Sequence, residues 1–135
     1  MNDLAIENRI YTIRGIQVML DSDLAALYGT ETKFLNRAVN GNPSRFPDSF
    51  VFQLSKKEWE NLKFQFGTSS AHGRRRTLPF VFAEQDIAML SAVLQTDNAI
   101  QASVQIMQAF VFIRKFLFQN ASIFQRLDQL ELKQV

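Results

Sequence analysis

A chain of 135 residues, 47% hydrophobic and 21% charged, is long enough to close one core and too apolar to stay disordered. The absence of cysteine excludes a disulfide framework and a thiolate zinc site. The net charge of +2 hides a split: residues 33–76 carry nine Lys/Arg against three acids, a surplus of +6, and the remainder six against ten, a balance of −4.

A basic third on an otherwise acidic body is the footprint of a polyanion-binding face, with a merely solvated basic surface as the alternative. The opening "MNDLAIENRIYTIRG" lacks the basic and then apolar order of a secretory signal, and no run of 18 apolar residues is present. The sequence therefore reads as a cytoplasmic protein with no membrane partner.

In chain order, "RIYTIRGIQVML" (9–20) alternates apolar and polar residues on both sides of Arg14-Gly15, which predicts a β-hairpin with the glycine in its turn. Asp21 or Ser22 can then cap a short helix whose Leu24, Leu27 and Tyr28 share a face. Gly29 stands where a left-handed residue ends a helix, and Thr30 can cap the next one. In that second helix, residues 31–40, Phe34, Leu35, Ala38 and Val39 can face the core, and Lys33, Asn36, Arg37 and Asn40 the other side. Two short helices about a tight glycine turn make a helix-turn-helix pattern.

Gly41, Asn42 and Pro43 stop that helix, and Phe50, Phe52 and Leu54 predict a strand at 50–54. Ser55 with Glu58 is a capping box opening a helix that turns Trp59 and Leu62 inward, with Phe64 and Phe66 expected to pack in the core. "GTSSAHGRRRT" (67–77) reads as an exposed basic loop, and "LPFVF" (78–82) as a short strand with Pro79 at its start or at an edge. A helix from Glu84 to Leu94 follows, then a long one from Asp97 or Asn98 to about Phe118. Its Ile100, Val104, Met107, Phe110–Val111 and Arg114 form one stripe and Ile106, Ile113 and Leu117 another, more than a monomer of this size can bury, which points to a homodimer through residues 98–118. Ile123, Leu127 and Leu130 begin a further amphipathic helix, so residues 1–120 are taken as the domain and 121–135 as a helix start or linker to another module.

The stretches "IRGIQVMLDSDLAALYGTETKFLNRAVN", "RFPDSFVFQLSKKEW", "RRRTLPFVFAEQDIAMLSAVL" and "AIQASVQIMQAFVFIRKFL" carry a resemblance. In this order they resemble the phage and bacterial KilA-N-type DNA-binding domains, in the branch named for the N-terminal domain of open reading frame six. The resemblance spans residues 6 to 118. It implies a small α+β domain that binds DNA at the head of phage or prophage regulators, including anti-repressor-like proteins, ahead of a separate C-terminal module. The chain departs from the pattern at three positions: Gly41 where a basic residue is common, Ala83 where Thr usually caps a helix, and Asp86 where glycine is usual.

The expected fold is α+β, a hairpin and short sheet with a helix-turn-helix-like pair, a wing-like basic loop and long C-terminal helices. The helix at 31–40 is the candidate recognition helix, since Arg pairs with guanine N7/O6 and Asn with adenine N6/N7 in a major groove. Lys33, Asn36, Arg37 and Asn40 would supply those groups. Arg74, Arg75 and Arg76, in the loop 72–77, repel one another unless an anion sits among them, and are read as gripping phosphates or the minor groove. Arg45, Lys56, Lys57 and Lys63 are further candidate phosphate contacts. His72 is the only histidine, so no nucleophile pair or zinc set can be built, and the chain is read as a non-enzyme without cofactor or metal. The partner is double-stranded DNA. The competing reading is an anti-repressor-like module that binds a repressor or host protein.

Overall fold

The computed structural model describes residues 5–66 and 77–121. Strands β1 (Ile10–Ile13) and β2 (Ile16–Leu20) pair antiparallel with Ile13 opposite Ile16, which leaves Arg14 and Gly15 alone in the turn. Both have positive φ, 55° and 76°, the backbone whose twist matches that of a two-residue hairpin. The Arg14 guanidinium lies 4.4 Å from the Phe52 ring centre and grips Glu58 with both arms, Nε to Oε2 at 2.8 Å and Nη2 to Oε1 at 2.9 Å.

Helices α1 (Asp21–Tyr28) and α2 (Thr32–Asn40) follow β2 directly. A 3-10 turn at Pro43–Arg45 leads to β3 (Val51–Gln53) and α3 (Lys56–Phe66). Strand β4 (Phe80–Ala83) passes through a 3-10 turn, Glu84–Asp86, into α4 (Ile87–Leu94), and α5 (Ala99–Gln119) completes the order. The four strands form one antiparallel sheet in the order β1-β2-β4-β3. The fold is thus α+β as expected, and Pro79 stands just ahead of β4, where its missing N–H interrupts no ladder.

Both faces of the sheet are covered, so Val18, Met19 and Leu20 are all buried despite their alternation. Val18, Leu20 and Val81 meet Trp59 and Leu62 of α3, with Leu54 beside them. Met19, Val51 and Phe82 point the other way, into a core filled by α1, α2, α4 and α5. Tyr28 on α1 shares a buried hydrogen bond with Ser103 on α5, and both hydroxyls reach the Ile87 carbonyl of α4 at 3.3 Å. This polar knot fixes how three helices sit together, since each hydroxyl would be unsatisfied in any other register.

The capping box stands as expected, with Glu58 N–H donating to Ser55 Oγ at 3.1 Å and Ser55 N–H to Glu58 Oε1 at 2.8 Å. One expectation about packing is corrected here. Phe64 is 88% exposed, because Trp59 and Leu62 already fill the space under α3. On α5 the buried stripe is Ala99, Ala102, Ser103, Ile106, Ala109 and Phe110, while Ile100 (76% exposed) and Val104 lie outside. Small residues let α5 approach its neighbours closely, so the alanine face is the one drawn inward. The expected helix start at Ser122, with Ile123, Leu127 and Leu130, lies outside the described residues.

Asp86 is 1% exposed, and burial pushes its carboxyl up to about 6 although it accepts the Ala83 N–H at 2.9 Å. That bond caps the backbone where Ala83 has no side chain to do so. An acid held above its unfolded value of 3.8 keeps its proton longer when folded, so its contribution to stability falls as pH rises from about 4 through about 6. Glu58, held down to about 2 chiefly by Arg14, acts in the opposite sense, with its contribution lost as pH drops from about 4.5 toward 2. The expected outcome for Asp86→Asn is a stability relative to the parent that is higher at pH 8 than at pH 4 by ~2–3 kcal/mol, read from urea unfolding at the two pH values.

Candidate nucleic-acid interface

The site is built outward from Asp21, which is fully buried. Its Oδ1 accepts the Ser22 N–H at 2.7 Å, and its Oδ2 accepts both the Asn36 side-chain amide at 3.0 Å and the Phe80 N–H at 3.2 Å. One carboxylate thereby joins the start of α1, the middle of α2 and the start of β4. Asp21 is the first residue of α1 rather than a residue ahead of it, and it still places negative charge in the positive first turn.

The α1–α2 turn follows from Gly29, which sits at φ 74°. Thr30 N–H reaches the Ala25 carbonyl at 2.9 Å and Gly29 N–H the Ala26 carbonyl at 3.2 Å, the paired bonds that close a helix around a left-handed residue. Asn98, ahead of α5, donates its side-chain amide to Leu27 O at 3.2 Å and so braces the same corner. Thr30 is not the cap of α2. Its N–H is used in closing α1, and Glu31 takes the N-cap position without a side-chain bond. At the far end of α2 the Asn42 amide donates to the Ala38 carbonyl at 2.8 Å.

Leu35 and Val39 are the buried residues of α2, and that pair decides which way the rest of the helix points. Lys33, Arg37 and Asn40 are exposed along one outer stripe, as expected from their spacing. Asn36 does not join them: it is half-buried with its amide spent on Asp21. Phe34 is corrected in the other direction. It is 43% exposed, with Lys33 Nζ 5.2 Å and the Arg37 guanidinium 5.4 Å from its ring centre. Two adjacent i, i+4 pairs, Phe34/Ala38 and Leu35/Val39, competed for the core, and the aliphatic pair took it. Among the described residues no carboxylate holds Lys33 or Arg37 in an ion pair.

A cavity of about 160 Å³ lies beside this face, between α2 and the β3–β4 edge, lined by Asn36, Asn40, Phe46, Asp48 and Phe80 among others. Asn40 therefore stands at once on the outer stripe and on the cavity wall.

The other cations are divided. Arg45 is exposed in the 3-10 turn after α2. Lys56 and Lys57 are exposed in the first turn of α3, and Lys63 lies 5.7 Å from the Trp59 ring centre. Because α3 covers the sheet face opposite α2, the described cations do not lie on one face as the charge count had implied. It is α1 and α3 that start from a common end of the sheet, where β2 and β3 finish and β4 begins, while α2 starts only after the Gly29 turn. Arg74, Arg75, Arg76 and His72 lie outside the described residues. Among those described, no group of three or more His, Asp or Glu is placed to hold a metal, and no helix is long and apolar enough to cross a membrane.

A small antiparallel sheet that presents one short helix, backed by a buried carboxylate and cationic on its outer side, defines the class: an α+β domain organised around a displayed helix. The chain belongs to the ORF6N domain family, whose model matches residues 8–93. The match takes in the sheet and α1 to α3, runs almost to the end of α4, and leaves α5 beyond it. No match was found among curated proteins or among solved structures.

Asp21→Ala leaves the Phe80 N–H and the Asn36 amide facing a void, and should cost about 3 kcal/mol or more of folding stability. Asn36→Ala removes only one arm and should cost about 1 kcal/mol. Denaturant midpoints of the two variants, measured side by side, check that order.

Proposed function

We propose that the chain is a non-catalytic double-stranded DNA-binding domain of a phage- or prophage-type regulator, related to the KilA-N type, with α2 as the helix that enters the major groove. The observation that carries this reading is the outer face of α2. Among the described residues Lys33 and Arg37 stand exposed there without an acidic partner, beside Asn40, on a helix held in place by a buried hydrogen-bond network. A positioned helix with ungripped cations suits a polyanion better than a loosely charged surface does, because the ordering entropy is already met by the fold. Family membership supports the regulatory context. In this reading Arg37 and Asn40 address base edges, Lys33 and Arg45 address phosphates, and Arg74, Arg75 and Arg76, between α3 and β4 in the sequence, add to the phosphate contacts, whereas Lys56 and Lys57 stand on the opposite sheet face.

The outer side of α5 supports a homodimer. Ile100, Val104, Phe112, Phe116, Leu117 and Phe118 form an exposed apolar seam there, while Met107 packs against the core and Arg114 is paired with Glu84. A second copy laid along that seam would present two α2 helices to one duplex. The same apolar stripe also favours the second reading, an anti-repressor-like module whose partner is a repressor or host protein.

Salt titration against duplex DNA separates the two. Binding through Z phosphates should weaken with a log–log slope of about −0.9Z, whereas a protein-binding module should show no appreciable duplex affinity at any salt. Arg37→Ala should relax the sequence preference found by selection from random duplexes, at a cost of about 1–3 kcal/mol on the preferred site. Changing Arg74, Arg75 and Arg76 together to Ala should weaken all duplexes alike. Ile100→Glu with Val104→Glu should convert a dimer to a monomer in sedimentation equilibrium, with the fold unchanged by circular dichroism.

A further inference from the structure

We propose that Phe34 reads thymine: its ring packs against the 5-methyl group of a thymine in the major groove, delivered there by the two cations that flank it. This rests on the DNA-binding reading above and assigns it a base preference that hydrogen-bonding residues alone would not supply.

The argument starts from position. Phe34 lies in the first turn of α2, and the leading turn of a groove-entering helix is the part that meets base edges. The ring is nearly half exposed, although Leu35 and Val39 beside it are buried, so it is not needed to close the core. Two cations lie against it, Lys33 Nζ at 5.2 Å and the Arg37 guanidinium at 5.4 Å from the ring centre. They rest against the π-cloud in the free protein, where that contact is worth little in water. Phosphates or a guanine edge compete for the same cations far more strongly, and drawing them away uncovers the ring as the helix seats.

The chemistry of the groove then narrows the occupant. The thymine methyl is the one apolar group that projects into that groove, where cytosine offers only a C5–H, and an aromatic ring can pack on it without stranding a polar group. An acidic protein partner would also suit the cations, but would leave the ring against carboxylates. The charge pattern around Phe34 therefore favours a ligand that carries anions at its rim and a methyl at its floor.

The experiment uses the full chain. The preferred duplex is selected from a random pool, and each thymine in it is replaced in turn by uracil, which lacks only the methyl. The wild type should lose about three- to fivefold in affinity at one or two positions, the amount expected for one buried methyl-sized group. Phe34→Ala should bind the thymine and uracil duplexes equally, with the salt slope unchanged, and Phe34→Leu should keep part of the discrimination. Because the ring is outside the core, neither variant should lower the melting temperature by more than a few degrees. A selected site without thymine, indifference of the wild type to every uracil replacement, or a thymine preference that survives in Phe34→Ala would each overturn the assignment. Salt-dependent duplex binding in those cases leaves the DNA-binding reading standing. Absence of binding to any duplex overturns both.

Discussion

Burying a carboxylate obliges the chain to bring donors to it, and Asp21 sets the geometry of the whole domain in that way. Its donors come from its own helix, from Asn36 fifteen residues later and from Phe80 fifty-nine residues later. No pair of these can form without the others nearly in place, because α1 starts where β2 ends and Leu20 pairs with Val81 of β4. The rotation of α2 about its axis is thereby set from two sides, by Leu35 and Val39 in the core and by the Asn36 amide at its flank. Lys33, Phe34 and Arg37 face outward because those two constraints leave them no other direction.

The two faces of the sheet are locked by different means. Under α3 the packing is apolar and the outer fastening is the Arg14–Glu58 pair, which ties the hairpin turn to a helix start and doubles as part of its capping box. Under the other four helices an exposed Arg114–Glu84 pair is joined by an internal fastening, the Tyr28–Ser103–Ile87 knot. An exposed ion pair contributes little to stability, whereas a satisfied buried network specifies one arrangement. The side that carries α2 is thus the more narrowly defined of the two.

Local sequence signals outline the fold soundly. The Arg14-Gly15 hairpin, the glycine end of α1, the Ser55/Glu58 capping box and the inward Trp59 and Leu62 all depend on neighbours within a few residues, where spacing and turn chemistry are decisive. What the sequence concealed depended on distant partners. Nothing near Asp21 announces that Phe80 will donate to it, so Asn36 could not be told from its exposed neighbours. Hydrophobicity and spacing point Phe34 and Phe64 at the core, and only the filled volume beneath them shows that there is no room. On α5 two apolar stripes competed with an alanine stripe, and close helix approach, which a hydropathy pattern does not register, chose the alanines.

The exposed chemistry is sorted by element, and the sorting bears on the two functional readings. Cations dominate the outer sides of α2 and the start of α3, whereas exposed apolar side chains cluster on α5, where Phe112, Phe116, Leu117 and Phe118 follow Ile100 and Val104. A duplex offers no surface that would bury six apolar side chains, and an apolar helix offers nothing to lysine and arginine ammonium and guanidinium groups. Under the proposed function the two surfaces would take two ligands of different kind. A regulator that pairs through α5 and reaches an anion through α2 meets both demands, and protein contact and DNA contact need not be rivals for the same face. On that arrangement the spacing between paired α2 helices would be set by α5, which lies beyond the family match, so chains sharing the matched domain could address differently spaced half-sites by changing the helix that follows it.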